Sequence, residues 1–132
     1  MLNQLGNIIV MGLAVRTDRW SRCVELFEHF NITEYTHYEM VRQGSGWRQY
    51  ADDTLKMLSE TPGTIVYLED DFELIEGFED ALSRAVKDLP ADWDILYLGC
   101  NPTTELHRVT PNLCRVMGAW GCLLYTSDAA DE

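Results

Sequence analysis

Positive charge is what this sequence has least of. Its 132 residues carry 10 Lys and Arg against 22 Asp and Glu, a formal charge of −12. A protein that grips a nucleic-acid backbone needs a basic face, so the balance argues against that class. Cysteine is sparse, with 4 in the chain. None stands at metal-site spacing, and Cys23, Cys100 and Cys114 read as reduced thiols in or near a core. No apolar run is long enough to span a bilayer. Met1 to Gly12 is partly apolar but has neither a basic leader nor a small-residue cleavage site, which argues against a signal peptide. A phosphate-cradling glycine loop and a Ser-His-Asp arrangement are both missing. His29, His37 and His107 have no acid or cysteine at ligand spacing and read as surface residues. Repeats, linkers and low-complexity segments are absent as well.

What is present is concentrated in Thr64-Ile65-Val66-Tyr67-Leu68-Glu69-Asp70-Asp71-Phe72. A β-prone apolar run follows a Pro62-Gly63 breaker and ends in three consecutive carboxylates. Three acids side by side repel one another unless a cation or a ring of donors lies among them. Hard cations such as Mg²⁺ or Mn²⁺ prefer carboxylate oxygens. Ligands of open α/β sheets bind at the carboxyl ends of strands. The pattern points to a metal-assisted site for a phosphate-bearing ligand; the alternative is a solvated acidic turn after a core strand.

The last eleven residues, Cys122 to Glu132, match a translated sequencing adapter residue for residue. Such a scar stands outside fold reasoning. The expectation is a native open reading frame cut at about Gly121, with 1–121 the N-terminal part of a longer protein. Cys122 to Glu132 is then expected to make few core contacts. Without Asp128, Asp131 and Glu132 the formal charge is −9.

Strand and helix patterns alternate along the rest. Asn7 to Ala14 reads as a buried first strand, and Arg16-Thr17-Asp18-Arg19 as a polar loop. Trp20 to Phe30 has helical spacing of Trp20, Cys23, Val24, Phe27 and Phe30, with Asp18 a candidate cap. Glu34 to Val41 alternates as a more exposed strand. Gly44-Ser45-Gly46 breaks the pattern before a helix over Trp47 to Ser59, with Trp47, Tyr50, Leu55 and Leu58 inward. A third helix spans Glu76 to Leu89 and stops at Pro90. Trp93 to Leu98 reads as another buried strand. Leu106 to Val109 and Leu113 to Val116 suit a hairpin around Thr110-Pro111-Asn112. The alternation implies a βαβ-type, mainly parallel sheet with the acidic motif at a strand's carboxyl end.

Val10 to Trp20 (VMGLAVRTDRW) resembles the opening strand and loop of the family 25 glycosyltransferases, the lipooligosaccharide and procollagen galactosyltransferase-like enzymes. Tyr67 to Phe72 (YLEDDF), followed by a helix and then Asp92 to Gly99 (DWDILYLG), is similar to that family's acidic motif and its next strand. Gly118-Ala119-Trp120-Gly121 resembles the start of its glycine-aromatic-glycine strand. The chain departs from the pattern before the acidic strand. There Ser45 to Tyr50 stands where the family has a Gly-Cys-x-x-Ser-His type helix start.

The resemblance implies an α/β, GT-A-like (Rossmann-like), mostly parallel sheet flanked by helices, here truncated. It implies transfer of a hexose, galactose foremost, from a UDP-sugar donor to a glycan or glycoprotein acceptor. It also implies Mn²⁺ or Mg²⁺ at the leaving diphosphate. Asp70 and Asp71 are the expected metal ligands, with Glu69 in support. On an ideal strand Leu68 and Asp70 share one face and Glu69 and Asp71 the other, so the turn geometry decides whether they meet. Arg16, Asp18 and Arg19 follow the first strand, where Arg forks suit phosphate or base contacts. The plainer reading makes Arg16 and Arg19 solvated and Asp18 a cap. Asp94 reads as a polar residue within an apolar strand, and Asp52-Asp53 as a solvated helix face. Trp20, Trp47, Trp93 and Trp120 read as core or near-core, with Trp47 the candidate for stacking on uracil or sugar. No catalytic base is assigned; it is expected past Gly121 with the acceptor site. The expected location is the cytoplasm or its membrane periphery. Two further readings are a metal-dependent phosphoryl-transfer domain of receiver type and a non-enzymatic acidic α/β interaction module. Lys56 and Lys87 fall on helices, which fits the receiver type poorly.

Overall fold

The structure is a computed structural model that describes residues 2–44 and 46–126, with side chains described to residue 119. After a single 3-10 turn at Leu2–Gln4, the elements run β1 (Asn7–Leu13), α1 (Thr17–His29), β2 (Thr36–Met40) and α2 (Gly46–Glu60). Then follow β3 (Ile65–Glu69), α3 (Phe78–Lys87), β4 (Ile95–Pro102), β5 (His107–Arg108), β6 (Cys114–Arg115) and β7 (Ala119–Thr126).

The main sheet has the order β2-β1-β3-β7-β4. β1 pairs in parallel with β2 on one side and β3 on the other. A strand paired on both edges and covered on both faces must be apolar throughout, and Ile8 to Met11 are all buried. β7 runs antiparallel to both β3 and β4. The sheet is therefore parallel over three strands and mixed beyond them, rather than mainly parallel throughout. β5 and β6 form the expected antiparallel hairpin.

Two cores line the faces. Leu2, Ile8, Val10, Cys23, Phe27, Ile32, Val66, Leu68, Phe72 and Leu82 gather on the side of α1 and α3. Ile9, Met11, Met57, Ile65 and Tyr67 gather on the side of α2. Alternation along β1 and β3 sorts their side chains between these layers. Phe27 is fully buried and packs its ring on Tyr35 at 4.3 Å and on Phe72 at 5.4 Å between centroids. Burial of one such side chain contributes about 1.5–3 kcal/mol.

Several expectations are corrected. β4 is an edge strand, and its Ile95 is 49% exposed rather than buried. Asp94 precedes that strand and is exposed. On α2 the fully buried residue is Met57, while Trp47 and Leu55 are exposed at 74% and 66%. Trp47 is thus no core residue; Arg48 places its guanidinium over the ring, 5.7 Å from the centroid. Trp20 is half-buried and stacks on His37 at 3.8 Å, which takes His37 off the open surface. Asp18 lies in the first turn of α1 without capping it; the cap position is Arg16, with no side-chain cap bond. Asp53 is half-buried rather than fully solvated. Residues 122–126 lie with their backbone between β3 and β4, and the expectation that they make few core contacts falls on side chains outside the described residues. Ser45, the side chain of Trp120 and those of the tail lie outside the described residues, as does all of 127–132. Among the described residues no helix is long and apolar enough to cross a membrane.

The β5–β6 hairpin hangs on the C-terminal end of α3. The Asp88 carboxylate accepts from Thr110 Oγ1 and from Asn112 Nδ2, each at 2.8 Å. Those two bonds hold its carboxyl below the usual range. A carboxyl lowered by folding stabilises the fold above its unfolded value, near 3.8, and that contribution is lost as pH falls below it. The protection of the hairpin amides, taken relative to their intrinsic exchange rates, should therefore fall as pH drops below about 4, and Asp88→Ala should remove that step while β1 stays protected. Phe27→Ala should cost about 3–5 kcal/mol in urea unfolding, against about 0.5 kcal/mol or less for exposed Leu55→Ala.

Candidate functional site

The three parallel strands bring their carboxyl ends to one side of the sheet. There a cavity of about 200 Å³ is lined by Met11, Gly12, Leu13, Arg19, Met40, Tyr50, Glu69, Asp70 and Asp71. Four of the six expected ligand-binding residues meet in it: Arg19, Glu69, Asp70 and Asp71. The other two, Arg16 and Asp18, pair with each other instead. Arg16 Nε and Nη2 reach the two Asp18 oxygens at 2.8 and 2.7 Å. This exposed fork holds the Asp18 carboxyl down at about 2 and raises Arg16.

Strand geometry divides the acids. Asp70 is the first residue past β3, and its N–H still donates to Met11 O at 3.0 Å, one step beyond the ladder. Its side chain follows Val66 and Leu68 toward α1. Asp71 departs from strand alternation because β3 has ended, and it turns to the same side. Arg19 Nη1 donates to Asp70 Oδ1 at 2.9 Å and to Asp71 Oδ2 at 3.4 Å. Glu69, still in the strand, points to the α2 layer and accepts from the Tyr50 hydroxyl. Tyr50 in turn meets the hydroxyl of Tyr67. Burial first, then Glu69 and Tyr67, push the Tyr50 phenol far above the ordinary tyrosine range. Cys23 is buried beneath the site, its Sγ 3.4 Å from Asp70 O. Burial and the nearby Asp70 raise that thiol to about 11, so it stays neutral.

Sequence reasoning missed two parts of the site. The first is the Tyr50–Tyr67 pair, whose partners lie 17 positions apart on a helix and a strand and carry no local signal. The second is Gly12. A Cβ there would stand 2.7 Å from Asp70 Oδ2, so the carboxylate is seated against bare backbone. A glycine inside an apolar strand is the signal for such a close approach. A second, wider groove of about 530 Å³ adjoins at Met40, lined by Tyr38, Glu39, Arg48, Gln49 and Asp53 among others.

Asp70 and Asp71 offer oxygens to one point, which the Arg19 guanidinium now fills. Among the described residues no group of three His, Cys, Asp or Glu side chains could hold a metal ion. The pair does not suit a cation caged by protein alone. It does suit a Mg²⁺-like ion, which binds one or two carboxylates and completes its shell with phosphate oxygens and water. Comparison of the chain with protein-family models, with curated proteins and with solved structures gives no match.

Gly12→Ala should shift Asp70 out of its seat and cost about 1–3 kcal/mol, as overpacking does. Urea unfolding together with the NMR signals of the Arg19 guanidinium is the check. Wild-type stability with an unmoved Arg19 signal would mean that the seat is not tight.

Proposed function

We propose that this chain is the nucleotide-sugar-binding part of a glycosyltransferase of GT-A type, transferring a hexose, galactose foremost, from a UDP donor to a saccharide or protein acceptor. The observation that carries the reading is the convergence of Asp70 and Asp71 on Arg19 in a cavity at the carboxyl ends of β1 and β3. That is where open α/β sheets bind ligands. The resemblance of Val10 to Trp20 and of Tyr67 to Phe72 to family 25 glycosyltransferases supports it from the sequence.

Charge decides how such a ligand could enter. Three carboxylates and one guanidinium line the cavity, a formal balance of −2. A diphosphate alone would be repelled by that field, and a divalent cation accompanying it removes the conflict. Asp70 and Asp71 would hold the cation, which, when bound, offsets negative charge on the departing UDP. With a cation held there, the carboxylates would no longer need Arg19 as their counter-charge. Its planar fork suits phosphate oxygens and can hold them bidentately. Asp70 stays anchored by Gly12 and by the β1 ladder while its partner changes. With this reading goes a location in the cytoplasm or at its membrane periphery.

Calorimetry of UDP with and without Mn²⁺, on wild type and on Asp71→Asn, tests the reading. UDP should bind wild type at least about ten-fold more tightly with Mn²⁺, a difference of about 1.4 kcal/mol or more. Asp71→Asn should abolish most of that difference and leave the fold intact. Equal affinity in all four conditions overturns it.

A further inference from the structure

Glu69 and Tyr50 line the same cavity as Asp70 and Asp71 but sit on its opposite wall, toward α2. Glu69 Oε1 is committed to the Tyr50 hydroxyl. Tyr50 has one proton to give, so the hydroxyl that gives it to Glu69 accepts from Tyr67. Tyr67 is 1% exposed and fixed in β3. The chain Tyr67–Tyr50–Glu69 therefore holds one carboxylate oxygen from a rigid strand through a helix. The other oxygen, Oε2, makes no hydrogen bond among the described residues. Thr54, one turn beyond Tyr50, bonds Tyr50 O at 2.7 Å and lies 3.5 Å from Met11 Sδ. This ties the same turn of α2 to β1.

The cavity thus has two unlike walls. The Arg19 side handles full charges. The Glu69 side offers a fixed acceptor that pairs with no base among the described residues. A phosphate would be repelled there. A neutral group rich in hydroxyl donors would be taken up, because a carboxylate accepts from hydroxyls in strong, charge-assisted bonds.

We propose that Glu69, positioned by Tyr50, recognises the hexose of the donor by accepting hydrogen bonds from its hydroxyls, while Asp70 and Asp71 serve the diphosphate. This rests on the nucleotide-sugar reading above and adds to it the residue that distinguishes a sugar-bearing donor from the bare nucleotide. Glu69 is the contact residue and Tyr50 a positioning residue that acts through it.

The test compares UDP and UDP-galactose, each with Mn²⁺, by calorimetry on wild type, Tyr50→Phe and Glu69→Gln. Both variants should weaken UDP-galactose about ten-fold more than UDP, the size expected for a bond to a charged acceptor. A merely structural role would weaken both ligands by the same factor, and that result overturns the proposal, as does no change in either. Should Tyr50→Phe fail to fold, Glu69→Gln, equal in size to the residue it replaces, carries the comparison alone. Wild type that binds no UDP overturns the nucleotide-sugar reading and this proposal together. Wild type that binds UDP with an unaltered ratio in the variants overturns this proposal only.

Discussion

Asp70 is the one charged side chain buried among the described residues, and its surroundings answer its need for a counter-charge. A buried carboxylate left alone costs several kcal/mol, so it must be paired or neutralised. Arg19 supplies the pair from the first turns of α1. The lacing continues outward along the helix. Arg22 Nη2 meets Glu73 Oε1 at 2.6 Å, and His29 Nε2 lies 3.1 Å from Glu76 Oε1. Residues 19, 22 and 29 fall on one side of α1, and their partners follow in order along the loop after β3. The outer two contacts are exposed and contribute little to stability. They track the loop along α1, each acid meeting the next basic side chain on the helix.

The division of three consecutive carboxylates between two walls follows from where β3 ends. Inside the strand, alternation sends Tyr67 and Glu69 to the α2 layer, and Val66 and Leu68 to the α1 layer. Asp70 completes the alternation on Gly12. Had the strand run two residues further, Asp71 would have faced α2 beside Glu69. Two adjacent carboxylates would then share a wall without a base, and like charges at that range disfavour ionisation. The turn at Asp70 and Asp71 avoids this and brings Asp71 within reach of Arg19.

Much of the layout was legible from residue pattern alone. Ile8 to Ala14 is apolar throughout, and Asn7–Leu13 is the central parallel strand. The helical spacing of Cys23 and Phe27 located the buried stripe of α1. The carboxylates after Leu68 fell at a strand end and line a cavity, as their residue types suggested. What escaped was tertiary. Leu55 fits a helical stripe, yet Met57 took the buried position because α2 meets the sheet over Met11 and Tyr67. Trp47 is apolar by type but stands exposed at the first turn of α2, with Arg48 over its ring. Arg16, Asp18 and Arg19 stand together at the start of α1, but Arg16 and Asp18, two residues apart, satisfy one another. Contacts such as Tyr50 with Glu69 join distant positions and leave no trace in spacing.

The placement of residues 122–126 between β3 and β4 follows from the same economy. Past Glu69 and Leu68, β3 presents one ladder edge to β1, and its other edge would stand open. An open edge next to a buried apolar strand pairs readily with any extended β-prone segment. Leu68 to Ile65 oppose Leu123 to Thr126 in antiparallel register, and Ile95 to Tyr97 continue the match on the far side. The bonds that hold such a strand are main-chain bonds. They depend on extended conformation and β propensity, not on how the residues came to be there. The pairing runs from Ile65 to Leu68, so β3 is held on both edges up to the residue before Glu69.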